Sequence, residues 1–423
     1  MKLLLLGILL KTIQSLNVHP SHFRIVPLSF YTPNNRNEQY FKDDNYYGVR
    51  IAWIASKPPS DSIIISDNKQ CITLNWKIKN KFDPHKNDWG NDLWEYSFVD
   101  TALHIEHNSI KIGDWTYNIK VPRFGKKEND DDTTLFIGDA NIGSSSRFAL
   151  GGADAVIKSS LLKQQNKTTM VVWLGDVFYH DKPNSITSEW PKLTDVSNNI
   201  ITGVPTFLHI GLIGNHDYSS NTACHNCNWN IKKNNLWCIN DDKVSGSWVQ
   251  YFFTSDGIKS FHDGLSENYH RGCRVPYEYT IQNFVLGRTG YITIDNAWHP
   301  NDVNINWGDL SSKLNNYIDN IIIIGHWDYS NSGGKSGVSD WIHKLEQYFK
   351  NKKITGVQGH THINSIRNGN GNFKLITAGG NGFRGSGCDC KGNCYNCHCC
   401  CPTLYKNDNW IIGGWNKGEF CNQ

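Results

Sequence analysis

The stretch Ile354-Thr355-Gly356-Val357-Gln358-Gly359-His360-Thr361-His362 joins a short apolar run to two histidines. A run of this length and composition is typical of a buried strand. Gly359 allows the backbone to turn sharply out of that strand. In open α/β sheets, binding sites form beyond the carboxyl ends of the strands. The stretch therefore predicts a strand that carries two histidines to a site.

Four other apolar runs end in the same way, with glycine followed by a polar residue that can bind a metal. In chain order the endings are Gly138-Asp139, Gly175-Asp176, Gly214-Asn215-His216-Asp217 and Gly325-His326. If the five runs are strands of one layered core, their ends bring two carboxylates, an amide and imidazoles to one rim. Such oxygen and nitrogen donors suit a pair of divalent or trivalent metal ions. A single Gly-Asp is usually a turn, so the prediction depends on all five endings together.

The alternation of short apolar runs with helical stretches after residue 133 predicts the α/β class, with a layered β-sandwich core flanked by helices. Helices are expected at 148–164, 310–318 and 338–350. Residues 17–125 hold aromatic and β-branched runs separated by turn residues, which predicts a mainly β N-terminal region of unknown role. We expect the second domain to span residues 133–423.

The first 16 residues predict a secretory signal peptide, because Lys2 precedes the apolar run 3–10 and Ser15 offers a small residue for cleavage. A buried first strand or helix is the alternative. The prediction places the mature protein outside the cell or in an endomembrane or lysosomal-type lumen. No later segment has the length and apolar character of a membrane span.

The 13 cysteines include seven in a dense insert at 386–402. In a secreted chain most of them are expected to form disulfides, and zinc binding by this insert is the alternative. Asn166-Lys167-Thr168 is a predicted glycosylation acceptor. The net charge of +3 gives no strong signal for nucleic acid, and nothing indicates an oligomeric state.

The order of the five motifs resembles that of the calcineurin-like metallophosphoesterases, over roughly residues 133–385. Most of that superfamily carries Asp-x-His in the first motif, where this chain has Asn141. The purple acid phosphatases lack that histidine and use a tyrosine in Gly-Asp-x-x-Tyr, which here is Tyr179. The chain is most similar to this family, in particular to its small tartrate-resistant type. It departs from the family pattern in having Gly-Asp-Ala-Asn in place of Gly-Asp-x-Gly.

The resemblance implies a secreted acid phosphatase that hydrolyses small phosphate monoesters with two metal ions, through attack of a metal-bound hydroxide on phosphorus. It implies Fe(III) at one site, because a tyrosine phenolate is a hard anionic donor, and Zn, Fe or Mn at the other. The implied ligands are Asp139, Asp176, Tyr179 and His362 for the first metal, and Asp176, Asn215, His326 and His360 for the second.

Catalytic roles are expected for the residues that follow Asn215. His216 is the candidate for protonating the leaving group or binding the phosphate, and Asn215 is expected to bind the substrate. Asp217 either orients His216 or is a simple turn residue. Two other functions stay open: a phosphodiesterase of the same superfamily acting on nucleotides or lipid headgroups, and a non-catalytic binding protein on this scaffold.

Overall fold

A computed structural model describes a discontinuous set of residues, and every statement below concerns these. They are 24–30, 37–41, 45–55, 62–67, 70–75, 77–82, 94–112, 115–121, 123–125, 133–140, 168–176, 208–212, 281–294, 306–326, 338–368, 373–379, 403–406 and 408–411. The expected signal peptide, the helix expected at 148–164 and the cysteine-rich insert at 386–402 lie outside them. The expected domain boundaries stay predictions.

The described part of the N-terminal region consists of strands and one 3-10 turn, Glu38–Tyr40. All strand pairs are antiparallel and form two four-stranded sheets, in the orders β1-β2-β6-β5 and β4-β3-β7-β8. The strands are β1 (Arg24–Pro27), β2 (Tyr46–Ala55), β3 (Ile63–Ser66), β4 (Cys71–Leu74), β5 (Lys77–Phe82), β6 (Trp94–His104), β7 (Glu106–Ile112) and β8 (Trp115–Val121).

A five-stranded sheet, in the order β11-β10-β9-β18-β19, carries the first two motifs. Strands β9, β10 and β11 are parallel, and β18 runs antiparallel to β9. Every residue of β9 is buried, which explains its unbroken apolar character. The strands are β9 (Thr133–Ile137), β10 (Thr168–Trp173), β11 (Leu208–Gly211), β18 (Thr403–Lys406) and β19 (Asn409–Ile411).

A six-stranded sheet, in the order β12-β13-β14-β15-β17-β16, carries the histidine motifs. Its four central strands are parallel, and the two edge strands are antiparallel to their neighbours. The hairpin formed by the first two strands was not among the predicted runs. The strands are β12 (Ile281–Leu286), β13 (Thr289–Ile294), β14 (Asn320–Gly325), β15 (Lys353–Gln358), β16 (Asn364–Asn368) and β17 (Phe373–Ala378).

The two larger sheets face each other across one apolar core. The hydroxyl groups of Thr134 and Tyr291 lie 3.0 Å apart between them. The N-terminal sheets join the same core. Their chain is also tied to the hairpin β12–β13, where the Phe30 amide donates to the Asn283 carbonyl at 2.7 Å.

Two helices, α1 (Trp307–Leu314) and α2 (Val338–Tyr348), belong to the described residues. Helix α2 packs directly on β15 and β14. At Gly356 a Cβ would come within 2.6 Å of Val338, so the sheet approaches this helix closely because glycine has no side chain. The mixed sheets with few helices are consistent with the α/β class. Flanking of the core by helices stays a prediction.

Helix α1 begins three residues earlier than the predicted start at residue 310. The Asn306 side chain accepts a hydrogen bond from the Asp309 amide and so caps the helix at its amino end. Apolar periodicity alone does not reveal this start, because it depends on the capping side chain of Asn306. No helix among the described residues is long and apolar enough to cross a membrane.

Candidate metal centre

Two carboxylates lie side by side at the carboxyl ends of the parallel strands β9 and β10. Asp139 and Asp176 are both fully buried. The Asp139 amide donates to the Gly175 carbonyl at 3.1 Å, which holds the two strand ends together. Burying carboxylates in an apolar core is unfavourable unless positive charge or hydrogen-bond donors face them.

Three histidines from the opposite sheet face these carboxylates. His326 follows β14 and is fully buried, whereas His360 and His362 follow β15 and are half-buried. The His326 Nε2 atom lies 3.2 Å from Asp176 Oδ2, and His362 Nε2 lies 3.4 Å from Asp139 Oδ1. One potential ligand atom from each of Asp176, His326 and His360 falls within 4.8 Å of the others. The centre is therefore buried on the carboxylate side and more open at the last two histidines.

The orientation of the His326 ring is fixed by a backbone carbonyl. Its Nδ1 lies 2.7 Å from the Leu174 oxygen, and because a carbonyl only accepts, Nδ1 carries the proton. Nε2 is thereby the atom directed at Asp176. This arrangement, with one ring nitrogen held by a carbonyl, is the usual way in which proteins prepare a histidine to bind metal.

The pKa of His326 reflects the same contacts. Burial lowers it, but the charge and hydrogen bond of Asp176, the charge of Asp139 and the Leu174 carbonyl outweigh burial and raise the pKa to about 10. In the metal-free protein a proton on Nε2 thus occupies the position facing the carboxylate. A metal cation at this position would compensate the same negative charge.

Backbone conformation sets these residues apart from the rest of the described chain. Six described residues other than glycine have a positive φ, and four of them belong to the centre. Non-glycine residues rarely adopt this conformation, and it concentrates at functional sites. The four are Asp139 at 51°, Asp176 at 50°, His360 at 66° and His362 at 54°.

Two glycines form a slot for the Asp139 carboxylate. A Cβ on Gly359 would lie 2.8 Å from Asp139 Oδ2, and one on Gly379 would lie 2.7 Å from the same oxygen. The His360 amide donates to that oxygen at 2.7 Å. Only residues without side chains allow the carboxylate to approach the backbone this closely.

The structure brings together five of the residues expected from the sequence: Asp139, Asp176, His326, His360 and His362. The other expected site residues, Tyr179, Asn215, His216 and Asp217, lie outside the described residues. Sequence reasoning missed Gly379 because another glycine, and not a polar residue, directly follows it. It also missed the Leu174 carbonyl, for which a sequence contains no signal.

The donor set fits a metal centre by its chemistry. Two carboxylates and three imidazoles are oxygen and nitrogen donors of the kind that Zn, Fe and Mn accept. The buried carboxylates supply the negative charge, and the Leu174 carbonyl supplies an outer-shell partner. These residues therefore fit metal binding without rearrangement of His326.

A scan against protein-family models gives no match, and no curated protein sequence matches the chain. Solved structures to which the fold is similar include the following three. A dimetal phosphatase from Danio rerio has a TM-score of 0.36 and 10% identity, over 59% of this chain and 87% of that one. A 5'-nucleotidase from Candida albicans SC5314 has a TM-score of 0.34 and 16% identity, over 60% of this chain and 47% of that one. GAP50, described as the anchor in the inner membrane complex of Plasmodium, has a TM-score of 0.32 and 17% identity, over 69% of this chain and 86% of that one.

Proposed function

We propose that this chain is a two-metal phosphoesterase, of the acid phosphatase type, that hydrolyses small phosphate monoesters. The observation that carries the proposal is the convergence of two fully buried carboxylates with three imidazoles across facing sheets. Buried anions of this kind are retained when a cation compensates them. The five motif endings in the sequence support the same interpretation.

The geometry supports a division of the ligands between two ions. His362 lies against Asp139, whereas His326 and His360 group with Asp176. In the proposal, Asp176 would supply carboxylate oxygens to both ions. Tyr179 and Asn215 complete the set on the basis of the sequence alone, with Tyr179 favouring Fe(III) at the first site and Zn, Fe or Mn at the second. The full sets are Asp139, Asp176, Tyr179 and His362 for the first ion, and Asp176, Asn215, His326 and His360 for the second.

The residues of this chain have separate tasks in the reaction. When bound, two metal ions neutralise the charge of a phosphate and make a water molecule more acidic. His326, oriented by the Leu174 carbonyl, and Asp176 hold their positions rigidly because both are fully buried. The half-buried His360 and His362 lie on the side from which a phosphate ester can approach. His216 protonates the leaving group, and Asp217 orients the His216 side chain.

An assay with two aryl phosphates tests the proposal. The metal-loaded protein is expected to release phosphate from an aryl monoester faster than from the matched diester, with highest activity at acid pH. Faster hydrolysis of the diester would favour the phosphodiesterase alternative. Two bound metals without turnover of either ester would contradict catalysis and favour a binding protein.

The His343→Ala variant is a matched control for His360→Ala in this assay. His343 lies on helix α2, contacts Glu346 and is 63% exposed. Its loss is expected to leave phosphate release unchanged, whereas loss of His360 is expected to abolish it. Equal activity in the two variants would contradict the assignment of His360.

Secretion and the oxidised state of the cysteines belong to the same proposal. The amino-terminal apolar segment and the 13 cysteines support them. Sequencing of the mature amino terminus after expression in a eukaryotic secretory system tests the cleavage. Retention of Lys2 in the mature chain would contradict the signal peptide.

A further inference from the structure

A buried polar contact joins the last paired residues of β15 and β17, just before the chain enters the candidate metal centre. Gln358 and Thr377 are in-register partners, and each is 1% exposed. The Gln358 Nε2 atom donates to Thr377 Oγ1 at 3.2 Å. Most core positions of these strands are apolar, so an amide and a hydroxyl at the strand ends require an explanation.

The amide of Gln358 is only partly satisfied. Within the part of the chain that the structure describes, its Oε1 atom is buried without a hydrogen-bond partner. Burial of an amide oxygen in this state is unfavourable, and an apolar side chain of similar size would avoid it. The hydrogen bond to Thr377 therefore explains why a glutamine occupies this position.

The position of this contact links it to the centre. Gly359 directly follows Gln358, and Gly379 lies two residues after Thr377. These are the two glycines that enclose the Asp139 carboxylate. The separation of the ends of β15 and β17 therefore sets the width of the slot in which that carboxylate lies. The same strand end continues into His360, whose amide donates to Asp139.

We propose that Gln358 and Thr377 are positioning residues that fix the turn from Gly359 to His362 against Asp139. The inference rests on the proposed metal-binding role of that turn, and neither residue contacts the reacting atoms. Their hydrogen bond holds the ends of β15 and β17 at the distance that the carboxylate slot requires. It acts together with the backbone bonds from Gly359 to His326 and from Gly379 to Ile363.

Hydrogen exchange in the metal-free protein tests this positioning independently of metal. Thr377→Val keeps the side-chain shape and removes the hydroxyl, while Thr377→Ser keeps the hydroxyl. We expect faster amide exchange in a peptide covering residues 359–363 for Thr377→Val, and exchange as in the parent protein for Thr377→Ser. Thr355→Val, on the neighbouring strand β15 and half-buried, is the matched control and is expected to change nothing in this peptide.

Zinc affinity of the same variants provides the second readout. Loss of a hydrogen bond that positions a metal ligand costs about 10- to 100-fold in metal affinity. We expect a loss of this order for Thr377→Val and for Gln358→Met, because the bond between these residues positions the turn that carries His360 and His362. The double variant is expected to lose no more than either single variant, because both remove one contact. Gln358→Met also keeps the test open if Thr377→Val does not fold.

Two results would overturn the inference. One is unchanged exchange and unchanged zinc affinity in both Thr377→Val and Gln358→Met. The other is a loss in Thr377→Ser as large as in Thr377→Val, which would indicate a packing defect. A parent protein that binds no zinc, iron or manganese would instead refute the proposed function, and the exchange comparison would still decide whether this contact orders the turn.

Discussion

The backbone amide of His360 donates a hydrogen bond to the side chain of Asp139, 2.7 Å away on the opposite sheet. This bond connects the carboxyl end of β15 to that of β9. It also means that one residue contributes its amide to the carboxylate and its imidazole to the group with Asp176 and His326. The two sheets are thus coupled at the centre itself.

Replacement of a proposed metal ligand is expected to abolish activity and leave the fold intact. For Asp176→Ala and His360→Ala we predict losses of phosphate release beyond the about 100-fold that an outer-shell change costs. The large core does not depend on these polar groups. Steady-state kinetics with circular dichroism checks both parts, and full activity in either variant would refute the two-metal assignment.

A methyl group on Gly359 is expected to disturb the Asp139 carboxylate. In Gly359→Ala the new Cβ would lie 2.8 Å from Asp139 Oδ2 and 3.2 Å from His326 Nδ1. Such overpacking costs about 1–3 kcal/mol of unfolding free energy, and the displaced carboxylate weakens metal binding. Denaturant unfolding and metal titration measure the two effects.

Gly308→Ala is the control for that substitution. Its Cβ would meet only Asn306 Oδ1 at 3.5 Å, an ordinary contact in helix α1. Unchanged metal affinity is expected there. If Gly359→Ala bound metal as tightly as this control, the carboxylate slot would not matter for binding.

Metal affinity is expected to rise with pH. A metal at His326 Nε2 must displace a proton from a group whose pKa is raised to about 10. Below that pH each displaced proton makes apparent binding about tenfold tighter per pH unit. Titrations at three pH values check this, and His326→Gln is expected to lower the slope. An identical slope in that variant would show that His326 does not exchange its proton for metal.

The stability of the metal-free protein is expected to change in the opposite direction. Because the pKa of His326 is raised from 6.5 to about 10 on folding, the folded state binds more protons than the unfolded state between these values. The stabilisation is complete below pH 6.5 and is lost as the pH rises through about 10. Urea unfolding of metal-free protein across this window measures the decline. A stability that rises with pH there would contradict the ion pair with Asp176.

Gly356→Ala is expected to weaken the fold without affecting the metal centre. Its Cβ would lie 2.6 Å from Val338 and 2.8 Å from Ile342, so helix α2 must shift away from β15. We predict a loss of about 1–3 kcal/mol in unfolding free energy, with metal affinity retained. Thermal unfolding and zinc titration separate the two. Loss of zinc binding at unchanged stability would be the contradictory result.

The sequence predicted the strands that carry the five motif endings, and the five described residues of the candidate centre, because both depend on local patterns. Buried parallel strands are apolar throughout, and a glycine with a polar residue at each strand end marks the rim. Asp139 and His360 could therefore be identified far apart in the chain. Their direct hydrogen bond could not, because it depends on how the two sheets face each other.

Two kinds of contact could not be predicted from the sequence. One is made by backbone atoms, and the other is possible only because a glycine has no side chain. The Leu174 carbonyl orients His326 through an atom that every residue has. Gly379 has no side chain and so leaves room for the Asp139 carboxylate. This becomes visible only in the fold, where Asp139 packs against it. Helix α1 begins earlier than predicted because the Asn306 side chain caps it. Apolar periodicity contains no information about a polar capping residue.

The metal content of the purified full-length protein tests the central claim most directly. Elemental analysis after dialysis against trace zinc, iron and manganese is expected to give two metal ions per chain. Asp176→Ala is expected to lose at least one of them, because the Asp176 carboxylate is proposed as a ligand of both ions. A visible charge-transfer band that disappears in Tyr179→Phe would add that iron occupies the first site. A parent protein that binds no metal under these conditions would contradict the account.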